Sequence, residues 1–200
     1  MCAELSPLNL PEMNLQELIA DRRTVHDYVA GPLPEGALTR ALEAAIGAPN
    51  HRMTEPWRFV RVGPEGRQRL LQISADLKSS GGSSPLGAGA LEKLGAKMLN
   101  PSELLVVCQV KAEDAGVARE DYAAVACAVQ NAMLSFWSEG LGSKWSTGDV
   151  TTDERTYALL GVDPAQEEII GFLWVGHAAR RDLPKPRRRR SVDQILRSIP

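Results

Sequence analysis

The stretch Asp121-Tyr122-Ala123-Ala124-Val125-Ala126-Cys127-Ala128-Val129-Gln130-Asn131-Ala132-Met133-Leu134-Ser135-Phe136-Trp137-Ser138-Glu139 decides the fold. Val125, Val129, Met133, Phe136 and Trp137 recur at helical spacing, and Ala123, Ala124, Ala126, Ala128 and Ala132 fill the gaps between them. A helix that is apolar nearly all round has no face to offer water and must be buried on most sides. Gly140-Leu141-Gly142 ends it. A chain of 200 residues builds one core of ordinary size. Part of this helix's burial is therefore expected from a second subunit.

The flanking sequence supplies a thin sheet and several amphipathic helices. Leu104 to Val110 is a short apolar run between Pro101 and Lys111, and Ile169 to Val175 is a second; both read as buried strands. Trp57 to Val62 alternates and predicts a further strand, with Trp57 and Phe59 on one side. Asn14 with Glu17 forms a capping box ahead of a Leu15, Leu18, Ile19 stripe. Glu35 to Ile46 and Glu65 to Leu77 predict two more helices, and Thr152 is expected to cap another that Gly161 closes after Leu160. Ser79 to Ser84, continuing through Gly87 and Gly89, is expected to be flexible, as a linker or a lid. Ser191 to Ile199 is a short amphipathic tail. Few strands separated by helices predict an α+β fold, a small central sheet flanked by helices.

Composition narrows the function. Apolar residues make up 44% and charged residues 24%, which excludes collagen-like, disulfide-scaffold and globally disordered chains. No apolar run approaches the roughly 20 residues that span a bilayer, so no membrane partner is expected. Met1-Cys2-Ala3-Glu4 opens no secretory leader. A net charge of −2 argues against a nucleic-acid binder. Cys108 and Cys127 lie in apolar stretches and read as small core residues, and no Cys/His spacing suits a metal. A reducing cytoplasm is the expected compartment.

Motifs for nucleophilic, phosphoryl and zinc chemistry are absent: the chain has no G-x-S-x-G, P-loop, H-E-x-x-H or G-x-G-x-x-G. Any enzyme here takes its reactivity from a cofactor. Five segments stand out. They are Arg22-Arg23-Thr24-Val25-His26; Ala48-Pro49-Asn50-His51-Arg52-Met53-Thr54-Glu55-Pro56-Trp57-Arg58-Phe59; the alanine-rich helix ending Ser138-Glu139-Gly140-Leu141-Gly142; Trp145-Ser146-Thr147-Gly148; and Ile170 to Gly176 followed by Lys185-Pro186-Arg187-Arg188-Arg189-Arg190-Ser191-Val192-Asp193-Gln194-Ile195. In this order and spacing the chain resembles the nitroreductase family of FMN-dependent oxidoreductases, most closely its short bacterial single-domain members.

That resemblance implies one domain over residues 12–200, with 1–11 a mobile N-terminal segment and 180–200 an arm reaching a partner subunit. It implies a domain-swapped homodimer with the C-terminal arm exchanged and FMN at the interface. The protein supplies no catalytic residue of its own, because flavin N5 carries the chemistry.

The site residues follow from the same likeness, each beside a plainer reading. Arg22, Arg23 and Thr24 are either a helix end, where cations suit the macrodipole, or the grip on the FMN phosphate and ribityl chain. His26 is a surface histidine or lies at the flavin N1/O2 edge, where many family members carry Lys or Arg. Gly47 and His51 belong to a loop that reaches the flavin bound mainly by the partner. Met53 stands where family members often have Asn, so ring recognition differs here. Trp145, Ser146, Thr147 and Gly148 are a strand end and turn, or the lining of the flavin. Seven basic residues and one acid lie between Arg180 and Arg190. They form a solvated arm, a nucleic-acid patch or, through Arg187 and Arg189, part of the phosphate site.

The implied function is hydride transfer from NADH or NADPH through FMN to a small electron-poor acceptor, such as a nitroaromatic, quinone or enone, by a ping-pong mechanism. Two alternatives stand beside it. One keeps the fold for dehalogenation or flavin fragmentation; the other is a flavin- or nucleic-acid-binding protein without turnover.

Overall fold

The computed structural model describes residues 14–80, 86–180 and 189–199. The elements in chain order are α1 (Leu15–Asp21), β1 (Tyr28–Val29), α2 (Ala37–Ile46), β2 (Trp57–Arg61), α3 (Pro64–Ser80), α4 (Ala88–Leu99), β3 (Glu103–Val110), α5 (Ala115–Ser138), β4 (Gly142–Ser146), α6 (Glu154–Leu160) and β5 (Glu167–Ala178). The fold is α+β, as expected.

The sheet is organised by β5, the longest strand. It pairs antiparallel with β3 from Glu103↔Val175 to Val110↔Glu167, with a bulge at Val107/Cys108. β3 carries β2 on its far side, in the register Trp57↔Gln109 to Arg61↔Leu105. β4 and the two-residue β1 also pair with β5. Side chains alternate across this sheet. Leu105, Val107, Leu173 and Val175 therefore meet α2 and α5, while Leu104, Val106, Phe172 and Trp174 share the opposite core with Leu70, Leu94 and Met98. Both faces being covered, β3 and β5 read as continuous apolar runs.

Small residues let α2 lie close to α5. Ala37, Ala41 and Ala45 recur every fourth position on one helix, and Ala124, Ala128 and Ala132 do so on the other; all are buried. Such matched ridges interdigitate at short range. On the other side Arg67 is buried, and its guanidinium donates to the carbonyls of Val62, Pro101 and Ser102. It ties α3 to both ends of the α4–β3 connection.

Several expectations need correction. The stretch expected to be flexible is helical at both ends: α3 continues to Ser80, and Ala88–Leu99 is a helix seated on α3 through Leu94 and Met98; residues 81–85 lie outside the described residues. The glycines at 87, 89 and 95 masked its periodicity. Asp153, not Thr152, caps α6, its carboxylate accepting from the Arg155 amide. Cys108 is buried, but Cys127 is exposed. It shares an exposed stripe of α5 with Ala123 and Gln130, so within one chain this helix is not covered all round. The α1 stripe also faces outward, with Leu15 and Ile19 exposed. Among the described residues no helix is long and apolar enough to cross a membrane. Residues 1–11 lie outside the described residues, as do 181–188 of the C-terminal arm.

Candidate functional site

The site begins where α1 ends. The Asn14 capping box forms as predicted, with Asn14 Oδ1 accepting from the Glu17 amide and the Glu17 carboxylate accepting from the Asn14 amide. At the other end the Arg23 guanidinium donates to the carbonyls of Ala20, Asp21 and Arg22. Arg23 thus does what the helix-end reading asks, satisfying carbonyls that have no partner within the helix.

Arg22 is different. Its Nη1 is buried and has no hydrogen-bond partner among the described residues. Burial pushes its pKa below the ordinary arginine value, and the charges of Arg23 and then Arg189 push it the same way. The fold has therefore drawn Arg189, from the far end of the chain, into electrostatic reach of the first helix. A partly buried guanidinium with one nitrogen cut off from water, and two other cations nearby, is costly unless an anion with acceptor oxygens joins it. A phosphate dianion supplies the charge and the oxygens together. The residues present fit the phosphate of FMN.

The chain after Arg22 is tied to β4. Thr24 makes a parallel bridge with Ser143, and the Val25 amide donates to the Ser143 carbonyl at 3.1 Å. This places Arg22, Arg23 and Thr24 beside the strand that leads into Trp145 and Ser146. Thr24 and His26 are exposed there. Ser143 was not foreseen. Its hydroxyl is buried and without a partner among the described residues. Its only trace in the sequence is a small hydroxyl residue two positions before Trp145. Lys144 was also missed; it is half-buried, and burial followed by the nearby charge of Lys97 lowers its pKa.

Trp145 packs against the α2/α5 core, and its Nε1 is buried with no partner. Its ring lies so close to Gly171 that a Cβ there would collide with it. Ser146 Oγ accepts from Trp174 Nε1 at 3.0 Å, so this hydroxyl is held by the sheet. Thr147 and Gly148 are exposed as the strand ends. Trp57 and Phe59 face the α2/α5 core together, as predicted.

Gly47 and His51 lie on the loop after α2. Gly47 caps that helix, and His51 opens an exposed 3-10 turn. The loop is strained: Arg52, Met53 and Glu55 have φ of 61°, 55° and 45°. Left-handed backbone costs a non-glycine residue roughly 1–2 kcal/mol. Asn50 spans the strained positions, accepting from the Glu55 amide and donating to Thr54 Oγ1. Thr54 Oγ1 in turn donates to the Asp121 carboxylate on α5. Arg187 lies outside the described residues.

Residues 19–177 match the model of the Nitroreductase family. The chain belongs to that family. Its curated relatives include the Bacillus subtilis (strain 168) protein named "Putative NAD(P)H nitroreductase YfhC", 31% identical over 157 residues that cover 74% of this chain and 76% of the relative. A nitroreductase-like family protein from Bacillus cereus has the same architecture. Its TM-score is 0.77 at 25% identity, covering 95% of this chain and 98% of that one. The fold is also that of the NADPH:FMN oxidoreductase from Vibrio harveyi complexed with NAD+. There the TM-score is 0.70 at 19% identity, over 92% of this chain and 76% of that one. The central sheet and its two helical layers are the nitroreductase fold.

Proposed function

We propose that this nitroreductase-family chain is an FMN-dependent oxidoreductase. It passes hydride from NADH or NADPH to electron-poor acceptors such as nitroaromatics, quinones and enones, by a ping-pong mechanism. The observation that carries this reading is Arg22, whose Nη1 is buried with no partner among the described residues and whose guanidinium feels the charges of Arg23 and Arg189.

Arg22 and Arg189 would hold the phosphate, with Thr24 adding a hydroxyl. His26 would serve the N1/O2 edge as a donor, or as a cation when protonated. Trp145, Ser146, Thr147 and Gly148 would line the ring, and Gly47 and His51 would approach it from the partner. When bound, FMN supplies a two-electron carrier that accepts and gives up hydride at N5. The chain's own task is to hold it, exclude water and leave one stacking face open.

The assembly we propose is a homodimer with exchanged arms in the cytoplasm. Its support is apolar surface that a lone chain leaves in water. Ile195 is 69% exposed and Ile199 92%, and Leu15 and Ile19 of α1 are exposed as well. Patches of this kind mark interaction surfaces.

A second reading, the same fold used for dehalogenation or flavin fragmentation, needs a dedicated substrate cover. The helix α4 is the element that favours it. Leu94 and Met98 pin α4 to the core, however, so it ranks behind the general reductase.

One anaerobic experiment tests the proposal. NADH or NADPH should bleach the flavin absorbance with no acceptor present, and a quinone should restore it. Initial rates should then give parallel double-reciprocal plots, because one flat molecule at a time occupies the stacking face. Intersecting plots would refute the ping-pong mechanism. A yellow protein that neither nucleotide bleaches would be a binder rather than an enzyme.

A further inference from the structure

We propose that Asp121, acting through Thr54, is a positioning residue that holds the loop carrying His51 in its flavin-facing conformation. This rests on the reading that the loop reaches FMN.

Asp121 is a buried acid that the proposed chemistry does not use. It lies in the second turn of α5, just after the charged pair Arg119-Glu120 and before the apolar part of the helix, and is only 4% exposed. A buried carboxylate is expensive, and an apolar residue of similar volume would serve the packing of α5 at least as well. What the carboxylate does is accept the Thr54 hydroxyl. Thr54 Oγ1 also accepts from Asn50 Nδ2 at 3.0 Å, and Asn50 Oδ1 accepts from the Glu55 amide at 2.8 Å. Asp121 fixes the Thr54 hydroxyl, Thr54 fixes which way the Asn50 amide points, and Asn50 closes over the segment between them.

That segment is His51-Arg52-Met53, where two consecutive residues are left-handed, followed by Glu55, which is a third. None of these is glycine, so the local chain prefers another shape and keeps this one only because its surroundings impose it. The relay is what imposes it, and its anchor is on the helix next to the loop rather than in the loop itself.

The test compares Thr54→Val, which keeps the shape and removes the hydroxyl, with Thr54→Ser, which retains it. Asn50→Ala breaks the relay at its far end without exposing the buried acid to a lost partner. Two quantities are read: amide hydrogen exchange of residues 51–55 in the FMN-free protein, and the FMN dissociation constant by fluorescence. Thr54→Val and Asn50→Ala should speed exchange in the loop at least tenfold and weaken FMN about tenfold, the scale of one lost hydrogen bond. Thr54→Ser should stay within about twofold of the wild type in both. Unchanged FMN affinity in Thr54→Val and Asn50→Ala would overturn the proposal, even if exchange or melting temperature moved, because the relay would then be structural only. Wild-type protein that takes up no FMN would overturn the parent reading and this proposal together.

Discussion

At the scale of single residues, two neighbouring arginines have divided their labour. Arg23 turns back onto the carbonyls that end α1, and Arg22 is left half-buried, with a buried Nη1 that has no partner among the described residues. Sequence alone allows both roles for both residues, since either guanidinium can cap or bind. Arg22→Ala and Arg189→Ala should each release FMN. Each loses a charge-assisted hydrogen bond of about 1.5–3 kcal/mol, a ten- to hundredfold weaker affinity. Flavin fluorescence after dialysis measures it. Unchanged affinity in both variants would remove the phosphate site from this end of the chain.

At the scale of elements, the central strand β3 carries a pH dependence. Cys108 is fully buried in it. Burial, and then the charge of Glu167, push its thiol up to about 12. Burial and the charge of Asp27 likewise push the Tyr28 hydroxyl up. The folded chain therefore keeps protons that the unfolded chain gives up. Stability from Cys108 is fully present below about pH 8.5, the unfolded thiol value, and falls as pH rises toward 12. The slope is up to about 1.4 kcal/mol per pH unit. Urea unfolding between pH 8 and 10 should show this decline, and Cys108→Ala should flatten it; an equal slope in the variant would refute the assignment. Elsewhere at this scale, β3 and β5 were legible because two-sided burial leaves apolar runs that no helix of that length would need, and β2 because Trp57 and Phe59 alternate with Arg58. The helix α4 was not legible, because three glycines in and beside it resemble a linker and only packing on α3 supplies its stability.

At the scale of the whole molecule, the apolar surface is unfinished. Tyr122 and Cys127 on α5, Leu15 and Ile19 on α1, and Val192, Ile195 and Leu196 in the tail are all exposed in one chain. Sedimentation at micromolar concentration should therefore show a dimer and no free chain. A stable 21.7 kDa species would count against the assembly.

What the sequence by itself determined is local and periodic. It specified the capping box at Asn14, the apolar runs of the sheet, the apolar helix from Asp121 onward but not its first six residues from Ala115, and the motif order that marks the family. Each is written in spacing, and spacing survives without a third dimension. What only the tertiary structure decided is which distant groups meet. Arg189 comes within electrostatic reach of Arg22, Thr24 pairs with Ser143, and Thr54 finds Asp121. Cys127 looks like its apolar neighbours in the sequence, yet α5 turns it outward. Contacts between residues far apart in the chain depend on how helices and strands pack. A hydroxyl or guanidinium carries no periodicity to announce them.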